Sequence, residues 1–221
     1  MIKVSNVTKS YGQLKVLKGI DLHVEEEEII CLMGASGAGK STLLHIMGTL
    51  DKPDNGSVEI HGQNVFALSD KDLSVFRNRH IGFVFQFHHL LPEFTAIENI
   101  CLPALIARKS RKEAMKEAEK LLSIFNLSNR ADHKPSELSG GEQQRIAVAR
   151  ALINKPLIVF ADEPSGNLDS ENALELHKLF VELRTLMHQT FVIVSHNHSF
   201  ASMADRVLQI KDGLIIHDAT Q

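Results

Sequence analysis

Apolar residues fall into two regimes along the 221-residue chain. Over the first hundred positions they come in short clusters separated by turn-forming and charged residues: Ile2 to Val4, Ile20 to Val24, Ile29 to Met33, Val58 to Ile60 and Ile81 to Phe85. That is the signature of short strands. Asp54-Asn55-Gly56 reads as a turn, and the acidic run Glu25 to Glu28 as a solvated turn at a strand entry. From Thr95 to about Gln144 the strands stop. Ile97, Ile100, Cys101 and Ala104 recur at helical spacing, and Ala114, Ala118, Leu121, Leu122 and Phe125 do so again, with Arg111, Lys112, Glu113, Lys116, Glu117 and Lys120 on the solvated face. After Leu157 strands return, alternating with helices at 170–187 and 198–203. The alternation predicts a parallel sheet, and the early strands an antiparallel edge beside it. The fold class expected is therefore α/β, without repeat, low-complexity tract or long linker.

The run Gly34-Ala35-Ser36-Gly37-Ala38-Gly39-Lys40-Ser41-Thr42 sits between the apolar strand Ile29 to Met33 and a helical pattern through Leu43, Leu44, Ile46 and Met47. Strand, loop and helix are the context in which this spacing forms a P-loop. Its glycines let successive backbone amides aim at one anion, to which the helix adds its positive end. Lys40 would then reach the β- and γ-phosphates, and Ser41 would ligate Mg²⁺.

A second run, Leu138-Ser139-Gly140-Gly141-Glu142, has a structural reading: Ser139 with Glu142 three residues on is a capping box for the helix through Ile146, Val148 and Ala149. Two adjacent glycines are not needed for capping, but they allow a phosphate to approach bare amides at a helix start. With the continuation Gln143-Gln144-Arg145, a helix, and the strand Leu157 to Glu163, the chain resembles the ATP-binding-cassette ATPases. That resemblance implies one domain over 1–221. The catalytic core, with a P-loop NTPase (RecA-like) fold and an N-terminal antiparallel β subdomain, would span 1–87 and 157–221, and an inserted helical subdomain 88–156. It further implies that Ser139, Gly140, Gly141 and Glu142 serve ATP bound to a second copy.

Composition changes little in this picture. A net charge of −3 with both signs interspersed, and sparse aromatics without tryptophan, argue against a dedicated nucleic-acid surface. Cys31 and Cys101 both sit inside apolar patterns and read as buried, inert thiols. No apolar stretch approaches the roughly 18–20 residues of a membrane span, and the start of the chain does not read as a signal peptide. Membrane work would therefore need a separate anchor.

The remaining motifs fall where the resemblance expects them. Asp162 and Glu163 close a buried strand: two acids there could be mere solvated termination, but after a P-loop Asp162 is expected to hold Mg²⁺ through water and Glu163 to act as general base. Tyr11 would stack on adenine, although alone it reads as an ordinary half-buried tyrosine. Gln86 would contact Mg²⁺ or the attacking water. His196 would sense the γ-phosphate, while His88-His89 and His196-Asn197-His198 lack the companions of a metal site. Asp169, in Ser165-Gly166-Asn167-Leu168-Asp169, would reach the partner's nucleotide; a turn with a helix cap at Asp169 or Ser170 is the plainer reading. Asn197 and Ser165 depart from the aspartate and threonine commonest in the family, and both keep hydrogen-bonding capacity.

Within the family, Phe85 to Ile100, Pro135 to Glu142 and Glu163 to Asp169 look most like the lipoprotein-releasing branch, which also holds MacB-type efflux and FtsE-type cell-division ATPases. A chain ending at 221 without a fused membrane segment speaks against the MacB type. Phe87, Leu90, Leu91, Pro92 and Phe94 put apolar side chains into an expected loop, which suits a partner groove or packing beneath the helical subdomain. The resemblance implies polytopic membrane subunits docking near Phe87 to Ile100, a location on the cytoplasmic face of the bacterial inner membrane, and an ATP-driven clamp of two copies.

Overall fold

The structure, a computed structural model, describes residues 1–220. A six-stranded sheet in the order β10-β9-β3-β8-β7-β6 is built from β3 (Ile29–Met33), β6 (Ile81–Phe85), β7 (Ile158–Asp162), β8 (Thr190–Val194), β9 (Arg206–Lys211) and β10 (Leu214–Thr220). It is parallel from β9 to β6, and β10 pairs antiparallel with β9 at the edge. Successive side chains of a strand point to opposite faces. Cys31, Val159, Ala161, Phe191 and Ile193 therefore belong to one core, and Leu32, Ile158, Phe160, Val192 and Val194 to another. Both faces are covered, which is why these strands read as continuous apolar runs.

The first face is covered by α3 (Ala96–Ile106), α4 (Arg111–Ile124), α5 (Gly140–Leu152), α6 (Ser170–Met187) and α7 (His198–Ala201). Thr95 with Glu98, Ser110 with Glu113 and Ser139 with Glu142 form capping boxes at α3, α4 and α5. The second face carries α1 (Lys40–Met47) and a separate antiparallel sheet, β2-β1-β4-β5, of β1 (Ile2–Tyr11), β2 (Leu14–Val24), β4 (Asn55–Ile60) and β5 (Gln63–Asn64).

Two expectations about which elements form and where they lie change here, and one helix ends early. The early antiparallel strands are not an edge of the parallel sheet but a second sheet layered over it. The reason is their patterning: β1 buries Ile2, Val4 and Val7 while Lys3 and Asn6 face outward, and a strand with one polar face cannot lie inside a sheet covered on both sides. The antiparallel edge is β10. The other change is α2 (Asp70–His80), which the apolar pattern did not predict, because only Leu73 on it is buried. Its local signal was the cap: Ser69 Oγ accepts from the Asp72 amide at 3.2 Å. α7 also stops at Ala201, two residues short of the expected end. No helix among the described residues is long and apolar enough to cross a membrane.

Candidate functional site

The P-loop joins the end of β3 to α1. At Gly34, with φ 152°, a Cβ would lie 2.2 Å from the Ile210 carbonyl oxygen of β9. At Gly37, with φ 78°, a Cβ would meet nothing within 4 Å, so glycine is required there by the left-handed backbone and leaves the mouth of the loop bare. α1 is N-capped by Gly39 without any side-chain hydrogen bond. Unlike α3, α4 and α5, it presents its first amides and positive end without a protein acceptor, which is an anion site in waiting. Lys40 Nζ folds over the loop, donating to the carbonyls of Gly34 (2.9 Å) and Ala35 (3.0 Å).

Beneath the cradle, Ser41 Oγ donates to Asp162 Oδ1 at 3.0 Å, and His45 Nε2 stands 3.6 Å from Oδ2. Burial raises the Asp162 carboxyl above its usual range, opposed in part by the Ser41 bond, His45 and Lys40 and reinforced by Glu163. A desolvated carboxylate with a hydroxyl beside it suits a hard divalent cation. Glu163 follows at φ 46°, a left-handed conformation fixed by its amide on the Val194 carbonyl and its carbonyl on the Gly166 amide, each at 3.0 Å. Its Oε2 lies 2.8 Å from His196 Nδ1. In the tautomer that carries its proton on Nδ1, His196 donates to this carboxylate.

One open cleft of about 640 Å³ brings together Tyr11, Gly34, Ser36, Gly37, Gly39, Lys40, Ser41, Thr42, Gln86, Glu163 and His196. All were candidates from sequence, drawn from β1, the P-loop, and the ends of β6, β7 and β8. Leu14, Val16 and Val194 also line it and were not anticipated. Asp162 lies below the cleft under Ser41, and Ala38 is buried, its backbone bonded to Ala35 and Gly213.

Ser139, Gly140, Gly141, Glu142 and Asp169 lie outside this cleft. The Ser139 capping box forms, with Glu142 Oε2 on the Ser139 amide at 2.8 Å and the Glu142 amide on Ser139 Oγ at 3.2 Å. Glu142 is also held by Arg130 Nε at 2.8 Å. The two glycines have different reasons to be there. A Cβ on Gly141 would come 2.6 Å from Asn172 Oδ1, whereas on Gly140 it would meet only Leu168 Cδ2, at an ordinary 3.8 Å. Nothing among the described residues requires glycine at 140. Asp169 is the N-cap of α6, accepting from the Asn172 amide (2.9 Å) and Nδ2 (2.7 Å).

Two residues that sequence reasoning missed hold the loop carrying Gln86. Asn167 exchanges hydrogen bonds with it: Gln86 Nε2 donates to Asn167 Oδ1 at 3.1 Å, and Asn167 Nδ2 to the Gln86 carbonyl at 3.2 Å. Arg150 of α5 donates to the carbonyls of His89 (2.7 Å) and His88 (2.8 Å). Its partners lie some sixty positions away, so no local pattern could reveal them. In the same stretch Leu90 packs on the core, while Phe87, Leu91 and Phe94 remain exposed. Cys31 and Cys101 are free and buried, their thiols pushed up by burial to about 12 and about 11.

Residues 17–166 match the ABC transporter family. The chain is 58% identical over 216 residues to "Lipoprotein-releasing system ATP-binding protein LolD" of Cytophaga hutchinsonii, covering 98% of this chain and 99% of that protein. It is 57% identical to the protein of the same name in Bacteroides fragilis, covering 98% and 100%. Among solved structures it resembles the dimeric ATP-binding cassette MJ0796 in a post-hydrolysis state bound to ADP and Pi, at 40% identity and TM-score 0.90, over 100% of this chain and 98% of that one. With the P-loop, its paired carboxylates and the α/β core in place, the chain belongs to the ABC transporter family, as one of its ATP-hydrolysing cassettes.

Proposed function

We propose that this cassette is the ATPase subunit of a lipoprotein-releasing complex, working at the cytoplasmic face of a bacterial inner membrane through polytopic membrane subunits. The observation that carries the cargo assignment is the likeness, over essentially the full length of both chains, to proteins named for lipoprotein release. The catalytic core would comprise 1–87 and 157–221, and the helical subdomain 88–156.

In the reading we favour, Lys40 and the loop amides hold the β- and γ-phosphates, Tyr11 stacks on adenine, and Ser41 with Asp162 and Gln86 holds Mg²⁺. The raised Asp162 carboxyl supports this, since a cation there would favour its ionised form. When bound, Mg²⁺ would neutralise charge on the phosphates. Glu163 takes a proton from the attacking water, and His196, hydrogen-bonded to Glu163, orients that carboxylate and meets the γ-phosphate. Two copies close around two ATP molecules, with Ser139, Gly140, Gly141 and Asp169 of one copy completing the other's site. The open space before Gly140 supports this arrangement. ATP favours closure because only the closed state offers the second set of contacts. The membrane subunits dock near Phe87 to Ile100, where Phe87, Leu91 and Phe94 are exposed.

The test is purification from membranes in mild detergent with ATP and Glu163→Gln, which holds the clamp closed. Co-purifying membrane subunits carrying lipoprotein are expected. An efflux or division partner would overturn the cargo assignment and leave the ATPase chemistry standing.

A further inference from the structure

Tyr11 is half exposed yet firmly held. Its hydroxyl donates to Asp51 Oδ2 at 2.6 Å. The other oxygen of Asp51 accepts from Lys9 Nζ and from the Lys52 amide, both at 2.7 Å, and Lys9 Nζ also reaches the Lys52 carbonyl at 2.6 Å. The Lys9 ammonium stands 5.2 Å from the centroid of the Tyr11 ring, at cation–π distance. Lys9 does not line the cleft, which leaves ring surface there for a ligand. Asp51 in turn hangs from α1: its amide and that of Leu50 donate to the His45 carbonyl at 3.3 and 2.8 Å. The helix whose first turn faces the phosphates thus carries, at its far end, the carboxylate that grips the phenol. Its eight residues span about 12 Å.

We propose that Asp51 is a positioning residue for the nucleobase, fixing the Tyr11 ring before ligand arrives and setting its distance from the phosphate cradle through α1. The inference rests on the reading of Tyr11 as the base-stacking residue. Ordering an aromatic side chain is a cost that a free, exposed tyrosine would meet on binding, and here it is met in the folded protein. The Asp51 hydrogen bond also raises the phenol above its ordinary value, which agrees with a proton held between the two groups. Because stacking reads a ring face and no base edge, the effect should be alike for ATP and GTP.

The test compares Asp51→Asn, Tyr11→Phe, their double variant and Tyr11→Ala. Readouts are KM and kcat for ATP, affinity for inorganic tripolyphosphate, and tyrosine emission during ADP titration. The chain has one tyrosine and no tryptophan, so the emission reports this ring alone. Each of the first two variants is expected to raise KM by about 2- to 10-fold, the cost of ordering one side chain. The effect should fall on KM and not kcat, and in Asp51→Asn, which keeps the tyrosine, the emission change should move to higher ADP concentration. Tripolyphosphate, lacking a base, should bind as before, and the double variant should be no worse than a single one, since both remove the same bond. The proposal is overturned if either single variant leaves KM at the wild-type value. It is equally overturned if tripolyphosphate affinity falls in parallel, which is distortion of the cradle. A weakened Tyr11→Ala beside unaffected Asp51→Asn and Tyr11→Phe would leave stacking intact and remove positioning. An unaffected Tyr11→Ala would remove the base-stacking reading as well.

Discussion

Glu163 holds a left-handed backbone that costs a non-glycine residue about 1–3 kcal/mol, and it does so in the wall of the cleft. The strain is sustained by two backbone hydrogen bonds and aims the carboxylate at His196. Glu163→Gln keeps the shape and removes the proposed base, so kcat should fall by about 10²- to 10⁴-fold while ATP still binds. Single-turnover hydrolysis alongside equilibrium binding of labelled ATP checks this, and normal turnover would exclude Glu163 as the base. Residues whose neighbours in sequence are also their neighbours in space were legible from the chain: Lys40, Ser41, Asp162 and Glu163 were all placed by local context. Asp51 was not, because nothing in Thr49 to Pro53 tells which side chain it will meet, and its partner Tyr11 is forty positions upstream.

Three helices on the first face of the sheet begin with a capping box, and in each the sequence pattern and the bond agree. Glu142 does the most. The Arg130 hydrogen bond and then the Ser139 amide hold its carboxyl down at about 2 against an ordinary 4.5. A depressed folded value means that the stabilisation is complete above about 4.5 and is lost as pH falls from there through about 2. Glu142→Gln should cost roughly 1–2 kcal/mol at neutral pH and flatten that acid limb. Denaturant unfolding across pH 2–6, on the order of the two carboxyl values, measures both; an unchanged acid limb would contradict the assignment. Further along the same helix, Arg150→Met leaves the carbonyls of His88 and His89 without their donor. A loss of about 1–3 kcal/mol is expected. Amide exchange should quicken in 87–91, and equal protection in that segment would count against the clamp.

For the whole molecule, the phosphate cradle lies in the cleft at the end of β3 while Ser139 and Gly140 lie outside it, so a single copy leaves the second half of the proposed site unused. Gly140→Asp should change monomer stability by under about 1 kcal/mol, because the backbone there is not left-handed and the space is open. It should nonetheless abolish the ATP-dependent dimer that Glu163→Gln accumulates, read by sedimentation. A dimer that survives Gly140→Asp would show that this helix start does not face the partner's nucleotide. Gly141→Ala is expected to behave differently. Its Cβ presses on the Asn172 side-chain amide, whose Nδ2 donates to Asp169 Oδ2, so that bond must shift and the monomer itself is destabilised.

The sequence by itself determined the elements that carry their own signal: the buried strands, the P-loop with its helix, the capped helices, and the order in which they follow. Strand α/β alternation and motif spacing are local, and local geometry obeys the chain. Only the tertiary structure decided that the early strands form a second layer instead of an edge, since layering depends on which faces find partners. It also separated Gly140 from Gly141, paired Gln86 with Asn167, and hung Tyr11 from α1 through Asp51. Each of these depends on residues brought together across tens of positions by burial of two apolar cores, and burial leaves no local mark on the polar groups it happens to align.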